Sequence, residues 1–209
     1  MLTVVGNLKG GTGKSTVAFN LAVWLAHDKA GVMAFDLDPQ CTLLDVCEVR
    51  EEDGFDPRFE VSDDVDQLIE LASDKKRKQP IIVDMSASNM EAMKTAISLA
   101  DRVLVPVQPS QADIWSTQRF LKIVADTVNP DNKTEILGFI NRADTHRGIR
   151  ETDEAEQALQ MLQGVQALGT RLYQRTAYRR SFSEGLGVFE LDPMGKASKE
   201  MKKLATMLD

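Results

Sequence analysis

Near the start of the chain, glycine, lysine and hydroxyl side chains occur in a pattern typical of a phosphate-binding loop. Residues 9–16 are Lys-Gly-Gly-Thr-Gly-Lys-Ser-Thr. Glycine adopts backbone conformations that a Cβ forbids, so successive N–H groups can converge on an anion. The second lysine of such a loop neutralises phosphate charge, and the hydroxyl after it is a ligand for Mg²⁺. The phosphate-binding residues predicted in this way are Gly10, Gly11, Thr12, Gly13, Lys14, Ser15 and Thr16, with Ser15 on the metal.

The segments around this loop predict the geometry that it needs. Residues 2–5 are apolar and predict a strand, and residues 14–26 predict a helix. The loop then joins a strand to a helix N-terminus, whose partial positive charge favours an anion.

Polar residues also follow other predicted strands. Asp36 and Asp38 come after residues 32–35, and Asp84 ends the apolar run 81–84. Because ligands bind beyond the carboxyl ends of parallel strands, we expect these carboxylates near the loop. Asp84 is placed to hold Mg²⁺ through water. A turn that caps the next helix is the alternative role for the Asp-Leu-Asp-Pro segment.

The rest of the chain alternates apolar runs with amphipathic segments, which predicts a mostly parallel, twisted sheet covered on both faces. We therefore expect an α/β fold, the three-layer α/β/α P-loop architecture, as a single domain over residues 1–209. Residues 48–62 are polar and are expected to be irregular, with weak strand character at 59–61. Further strands are predicted at 103–107, 136–140 and 165–169, and helices at 65–72, 112–128, 151–163, 174–184 and from about 195.

Composition is that of a soluble globular protein, with 43% hydrophobic and 27% charged residues. The chain has no apolar stretch of the ~20 residues that a membrane helix needs. It enters the first strand directly, without the basic segment and cleavage site of a signal peptide. Cys41 and Cys47 are therefore expected to be reduced, in the cytoplasm. A dimer-bridging iron–sulfur pair is the disfavoured alternative, because the two cysteines lie so close together.

Charge is strongly segregated along the chain. The net charge is −7, yet residues 45–74 alone hold twelve acids against two bases, so the remainder is basic. The segment from Arg171 to Lys203 has eight bases against four acids. A chain of this kind can present a basic face despite its low pI.

One departure from the ordinary loop motif G-x-x-x-x-G-K-[ST] makes the pattern more specific. Position 8 is Leu8 rather than glycine, and Lys9 adds a second lysine. The resulting K-G-G-x-G-K-S-T run resembles the ParA/MinD family of deviant Walker A ATPases. Three further stretches are similar to that family, namely residues 36–40 (D-L-D-P-Q), residues 106–113 (P-V-Q-P-S with Asp113) and residues 188–190 (V-F-E). The small plasmid-partition ATPases without a helix-turn-helix are the most similar in pattern.

The resemblance implies roles for individual residues. Lys9 would cross a dimer interface to the phosphates held by the partner subunit, with Lys9, Lys14 and Asp38 forming the catalytic set. Asp38 would position the attacking water, and Asp36 would lie near Mg²⁺. Residues around Pro109 would border the nucleotide, and Asn141 with Arg142 would contact adenine. Residues 85–88 (Met-Ser-Ala-Ser) depart from the family pattern, which leaves the loop after Asp84 open.

The resemblance also implies a function. ATP and Mg²⁺ would close a homodimer that binds DNA through its phosphates, without sequence preference. A ParB-like or cargo-adaptor partner would stimulate hydrolysis, and the protein would be cytoplasmic and associated with the nucleoid. Arg175 and Arg179, four residues apart, are expected on one helix face. The DNA-binding candidates are Arg175, Arg179, Arg180, Lys199, Lys202 and Lys203.

Two alternatives remain open from the residues. A membrane-surface switch of the MinD type needs an amphipathic anchor, and the tail from 197 to 209 has Met201, Leu204, Ala205 and Leu208 on one face. That tail is short and lacks Phe and Trp, so packing against the sheet explains it better. An ATP-dependent biosynthetic ligase of the same fold needs a substrate pocket that no motif indicates. Met161, Met194, Met201 and Met207 are expected in the core.

Overall fold

The computed structural model describes residues 1–27, 31–74, 76–130, 132–146 and 150–208. Its centre is a seven-stranded sheet with the order β3-β2-β4-β1-β5-β6-β7, in which every pair of neighbours is parallel. The strands are Leu2–Val5 (β1), Met33–Asp36 (β2), Glu60–Ser62 (β3), Ile81–Asp84 (β4), Arg102–Val107 (β5), Glu135–Ala143 (β6) and Gln166–Tyr173 (β7).

Helices cover both faces of this sheet. On one face α1, α2, α7, α8 and α9 share a core, and on the other face α3, α4, α5 and α6 share a second core. The three-layer α/β/α prediction is therefore confirmed. The helices are Lys14–Ala26 (α1), Thr42–Glu52 (α2), Val65–Ser73 (α3), Met90–Leu99 (α4), Gln111–Thr127 (α5), Glu151–Met161 (α6), Thr176–Ser183 (α7), Val188–Leu191 (α8) and Lys196–Leu208 (α9).

The central strands are apolar along their whole length because both of their faces are buried. Val4 packs into the core on the side of α4 and α5, whereas its neighbour Val5 packs into the core on the side of α1. This two-sided burial explains why the pattern of these strands is continuous rather than alternating.

The prediction that residues 48–62 are irregular was wrong over its first part. Helix α2 extends to Glu52 and buries Leu43, Val46, Cys47 and Arg50, which follow the i, i+3, i+4, i+7 spacing of one helical face. This buried helical face is hard to predict from sequence because two of its four residues are an arginine and a cysteine. Helix α4 was also not identified, although Asn89 caps its start by accepting a hydrogen bond from the Ala92 N–H at 3.2 Å.

Two further expectations about the C-terminal third need correction. Arg175 is not on a helix: it precedes α7 with extended backbone angles, so it does not share a helical face with Arg179. Of the four methionines expected in the core, only Met201 is buried; Met161, Met194 and Met207 are 81%, 76% and 42% exposed.

The final helix is confirmed, and its apolar side is used inside the fold. Met201, Leu204, Ala205 and Leu208 are buried, with α9 packed against β7 and α8. The last residue of the tail, Asp209, lies outside the described residues. Within the described part of the chain, no helix combines the length and the apolar character needed to cross a membrane.

A buried ion pair ties α2 to the C-terminal segment. The Arg50 guanidinium, 3% exposed, donates to both carboxylate oxygens of Glu190 at 2.8 and 2.9 Å and to the Gly185 carbonyl at 3.0 Å. Glu190 also accepts from the Gly187 N–H at 2.7 Å. Burial disfavours the charged form of Glu190, but the hydrogen bonds from Arg50 and Gly187 hold its pKa below the usual value.

We expect Glu190→Gln to lower the free energy of unfolding by about 3 kcal/mol at pH 7, because it leaves Arg50 buried without its counter-charge. The folded pKa of Glu190 is depressed, so its stabilisation is present above the unfolded pKa of about 4.3 and is lost as the pH falls through the folded pKa. The difference between wild type and variant should therefore shrink in acid.

Urea denaturation at neutral and acidic pH measures both effects. Glu184→Gln is the control, since it removes an exposed pair with Arg180 that contributes less than about 1 kcal/mol. Equal stability of Glu190→Gln and wild type at pH 7 would contradict the assignment.

Candidate nucleotide-binding site

The glycine-rich loop joins β1 to α1 at the carboxyl edge of the sheet. Gly11 and Gly13 have φ angles of 77° and 86°, in the left-handed region that favours glycine, and Gly13 caps α1. Two side chains from neighbouring strands fix the loop. Asn141 Nδ2 donates to the Thr12 carbonyl and Gln108 Nε2 donates to the Gly11 carbonyl, both at 2.6 Å. These two contacts hold the loop in this conformation.

Asn7 anchors the start of the loop. Its Nδ2 donates to the Pro106 carbonyl and to Thr117 Oγ1, each at 3.1 Å, and its Oδ1 accepts from the Lys9 N–H at 3.5 Å. Sequence reasoning missed Asn7, Gln108 and Thr117. Asn7 stands 99 residues from Pro106 along the chain, so local pattern carries no sign of the contact.

Lys14 lies within the loop and is only 7% exposed. Burial lowers its pKa, and the nearby carboxylates of Asp84 and Asp38 oppose that shift. Its Nζ donates to the Lys9 carbonyl at 3.4 Å. The structure therefore brings Lys14 together with two of the predicted carboxylates, as the sequence indicated.

Asp84 ends β4 and is fully buried. Burial raises its pKa to about 7; the Ser15 hydroxyl and Lys14 oppose this shift, and Asp36 and Asp38 reinforce it. Neither of its carboxylate oxygens accepts a hydrogen bond of good geometry, although the Ser15 hydroxyl is close enough to lower its pKa. Among the described residues, the buried side-chain polar atoms without a hydrogen-bond partner of good geometry belong only to Thr12, Asp84 and Asp113, all at this edge of the sheet.

This clustering is informative because buried polar atoms in folded proteins are almost always hydrogen-bonded. A carboxylate and a hydroxyl left open beside a lysine form a donor set suited to Mg²⁺ and phosphate oxygens. The residues present therefore fit a metal-bound nucleotide.

Asp36 fulfils the alternative role that its sequence context left open. Its Oδ2 accepts from the N–H groups of Leu43 and Leu44 at 2.8 and 3.0 Å, and its Oδ1 accepts from the Asp38 N–H at 3.1 Å. Burial raises its pKa against these hydrogen bonds. It thus caps α2 and shapes the turn that presents Asp38. Asp38 is half-buried and accepts from the Gln40 N–H at 3.1 Å.

Lys9 is held within its own subunit. Its Nζ lies 2.5 Å from Asp113 Oδ2, and Asp113 also accepts from the Ser110 hydroxyl. Asp113 is buried, whereas the Lys9 side chain is 40% exposed. The ion pair therefore stands at the surface of the site, and release of Lys9 leaves the buried Asp113 carboxylate without its counter-charge, a cost that a new partner of the lysine has to offset.

A cavity of about 160 Å³ lies beside the loop and contains several predicted residues. Pro109 is not among them: it lines a separate cavity between α5 and α6 with Ser110 and Ala155. Arg142 is exposed and has a positive φ of 55°. The predicted residues that line the loop cavity are Gly13, Thr16, Asn141, Arg142, Arg175 and Arg179.

The DNA-binding candidates are distributed over α7, α9 and two cavities that share Tyr173 in their lining. Arg175 and Arg179 line the loop cavity, and Arg175 pairs with Glu200 at 2.6 Å. Arg180 is exposed and pairs with Glu184 on α7. Lys199 and Lys203 are exposed on α9 and border a second cavity with Arg171 at β7, while Lys202 is half-buried.

Comparison with known proteins agrees with this geometry. The family model described as the CobQ/CobB/MinD/ParA nucleotide binding domain matches residues 3–189. The chain is 27% identical over 197 residues to "Maintenance of carboxysome distribution protein A" of Halothiobacillus neapolitanus, covering 93% of this chain and 89% of that protein. It is 27% identical over 194 residues to "Protein ParA" of Rhizobium radiobacter, covering 88% and 83%.

A solved structure has the same fold. The ATP complex of an aspartate-to-alanine variant of McdA from Cyanothece superposes with a TM-score of 0.74 at 17% identity, covering 99% of this chain and 95% of that one. The family match extends over most of the sequence and includes the glycine loop and all three carboxylates at the strand ends. The chain therefore belongs to the ParA/MinD family of nucleotide-binding proteins.

The loop geometry predicts that one glycine substitution destabilises the protein and another does not. Gly13→Ala should destabilise the protein by about 1 kcal/mol or more, since φ is positive there. The new Cβ would also meet Asn141 Nδ2 at 2.5 Å. Gly10→Ala is the matched control, because a Cβ at that position meets nothing within 4 Å. Thermal melting of both variants measures the difference, and equal melting temperatures would refute the described loop conformation.

Proposed function

We propose that this protein is a ParA-type ATPase, an ATP-driven dimer switch that binds DNA without sequence preference and positions a cargo. The observation that carries the proposal is the group of unpartnered buried polar atoms on Thr12 and Asp84, directly beside the buried ammonium of Lys14. The family membership and the resemblance of the loop to deviant Walker A motifs support ATP as the nucleotide.

The chain supplies the positions that phosphoryl transfer needs. N–H groups of residues 10–16 at the start of α1 cradle the phosphates, and Lys14 balances their charge. Ser15 and Asp84, with Asp36 further out, hold Mg²⁺, the carboxylates through water. That ion supplies charge neutralisation on the phosphate oxygens. Asp38, set by the capped turn at Asp36, orients the attacking water.

The loop cavity is the proposed place of the adenosine moiety. Asn141 and Arg142 lie on one side of it, and Arg175 and Arg179 on the other. We therefore reassign Arg175 and Arg179 primarily to the nucleotide, while the contact of Pro109 with nucleotide stays a prediction without support from this cavity.

Lys9 is proposed to serve the partner subunit. In the single chain it is neutralised by Asp113, so an ATP-bound partner has to offer a stronger anion to draw it across. Triphosphate charge does so in a desolvated interface, where ion pairs are stronger than at an exposed surface. Nucleotide binding and dimer formation are thereby coupled.

Lys9→Ala should bind ATP within about threefold of wild type and fail to form ATP-dependent dimers, because the proposed phosphate contact of the lysine is with the partner's nucleotide rather than its own. Equilibrium binding of a fluorescent ATP analogue and light scattering with ATP or ADP measure the two properties. Lys94→Ala, an exposed lysine on α4, is the control. Normal dimers in Lys9→Ala would rule out the cross-subunit role.

DNA binding and cargo positioning are supported by charge and by the relatives. The described chain places exposed lysines on α9, and two similar proteins carry the names of a carboxysome distribution protein and of ParA. We propose a ParB-like or cargo-adaptor partner that stimulates hydrolysis, and a cytoplasmic, nucleoid-associated protein. Burial of the apolar side of α9 argues against the membrane-surface alternative.

With Asp38→Ala to block hydrolysis, DNA affinity should require ATP·Mg²⁺ rather than ADP and fall steeply with salt. Adding Lys199→Glu and Lys203→Glu should reduce the slope of log affinity against log salt by about 1.8, since each phosphate contact contributes about 0.9. Lys94→Glu with Lys122→Glu, on the opposite face, should change little. Fluorescence anisotropy with a labelled duplex measures this.

Two negative results of this experiment would have different meanings. DNA binding that is unaffected by the α9 changes would move the DNA site elsewhere on the dimer. Absence of binding in both nucleotide states would instead overturn the DNA switch and favour a small-molecule substrate.

A further inference from the structure

A cavity of about 690 Å³, larger than the loop cavity, lies along the outermost strand β3, away from the glycine loop. It begins beside Met33 and Glu60, which are paired at the amino ends of β2 and β3, whereas the nucleotide site lies beyond the carboxyl ends. We call it the β3-edge groove. Its lining residues are Met33, Cys47, Glu48, Arg50, Glu51, Arg58, Phe59, Glu60, Val61, Ser62 and Gln67.

One wall of the groove is an open strand edge. Among the residues that the structure describes, β3 is the outermost strand and pairs with β2 alone, so alternate N–H and C=O groups on its outer side face away from the sheet. Helix α2 stands on one side of this edge and α3 on the other. An extended segment of another chain can therefore lie along β3 and pair with its backbone.

The groove combines apolar residues on its two sides with carboxylates that have no counter-charge. Met33 is buried on the α3 side of the groove, and Cys47 is buried on the α2 side next to the half-buried Phe59 and Val61. Within the described chain, Glu48 and Glu60 are exposed and make no ion pair. The third carboxylate, Glu51, makes only a long, exposed contact with Arg58, at 3.9 Å.

The two arginines among the lining residues do not cancel the negative charge of the groove. Arg50 is committed to Glu190, and Arg58 is the exposed partner of Glu51. The basic residues 76–78 that follow α3 do not line the groove. The surrounding segment 45–74 carries twelve acids against two bases. Nucleic acid, anionic lipid and acidic peptides are all repelled by such a field, and a cationic segment is attracted.

A second copy of this chain is disfavoured at the same edge. Two β3 edges pairing with each other would bring Glu60 and its neighbouring carboxylates against identical carboxylates, which is how edge strands avoid self-association. The negative charge along β3 therefore disfavours pairing with the β3 edge of a second copy of the chain.

We propose that the β3-edge groove docks an extended, lysine- or arginine-bearing segment of a partner protein, paired along β3 with its basic side chains against Glu48 and Glu60. The site is separate from the nucleotide site and does not depend on the proposed ATPase function. Backbone pairing provides the alignment, the apolar residues on the two sides accept alternate side chains, and the two carboxylates select cations.

The test uses a fluorescent peptide of about eight residues, close to the length of a strand, that repeats lysine-lysine-valine-valine so that both of its faces carry lysine. A glutamate–valine peptide controls for charge, and a lysine–valine peptide N-methylated at alternate residues controls for backbone pairing. Fluorescence anisotropy is measured against the full-length protein over a salt series. Hydrogen exchange of residues 60–62 reports on protection of the strand edge.

Wild type should bind the lysine–valine peptide and neither control peptide, and its residues 60–62 should become protected. Glu48→Lys with Glu60→Lys should weaken binding by at least about tenfold, since both charge contacts are reversed. Glu52→Lys with Glu70→Lys makes the same charge change on exposed acids outside the lining, and should weaken binding by less than about threefold. Circular dichroism confirms that both pairs are folded.

Several outcomes would overturn the proposal. Equal weakening by the two charge-reversed pairs would reduce the effect to general electrostatics. Equal binding of the N-methylated peptide would exclude pairing along β3. Absence of peptide binding by wild type, with self-association that the Glu48 and Glu60 changes abolish, would assign the groove to a second copy of the chain instead.

Discussion

The site depends on a carboxylate that the fold buries without a hydrogen-bond partner. Asp84 ends β4 between β2 and β1, where helices on both faces exclude water from it. Burying a charge costs several kcal/mol unless another group compensates it, and the rise of the Asp84 pKa to about 7 reflects that cost. Lys14 suffers the opposite shift for the same reason. Each group is incomplete alone, so a metal-bound phosphate that contacts both relieves the two penalties together.

The surrounding polar contacts keep this arrangement from collapsing. Asn141 and Gln108 hold the loop from one side, and Asn7 holds its first residues to β5 and α5. Because Asn141 and Gln108 bind loop carbonyls, they leave the loop N–H groups available for an anion, except the N–H of Lys9, which donates to Asn7 Oδ1. The left-handed backbone at Gly11 and Gly13 is therefore held by the contacts of Gln108 and Asn141 with the carbonyls of residues 11 and 12.

Much of the fold and part of the site could be predicted from the sequence. Apolar runs located six of the strands to within a few residues, since two-sided burial makes them continuous. Helix α2 was not predicted over its full length because Arg50 and Cys47 lie on its buried face. The charge of Arg50 is neutralised by Glu190, far along the chain. Local motifs identified Lys14 and Asp84. The contacts of Asn7 with Pro106 and of Lys9 with Asp113 join residues about a hundred positions apart, so no local sequence pattern predicts them.

Of the proposed roles, the one with the widest consequences is that Lys9 completes the site of the partner subunit. Mixing two inactive variants tests it directly: Lys9→Ala keeps Asp38 and its own loop, and Asp38→Ala keeps Lys9. ATP hydrolysis is measured for each variant alone and for their mixture, with Mg²⁺ and DNA. If Lys9 acts across the interface, the mixture recovers activity, because the Asp38→Ala subunit lends its lysine to the intact Asp38 site of the other. A mixture no more active than its components would contradict the claim.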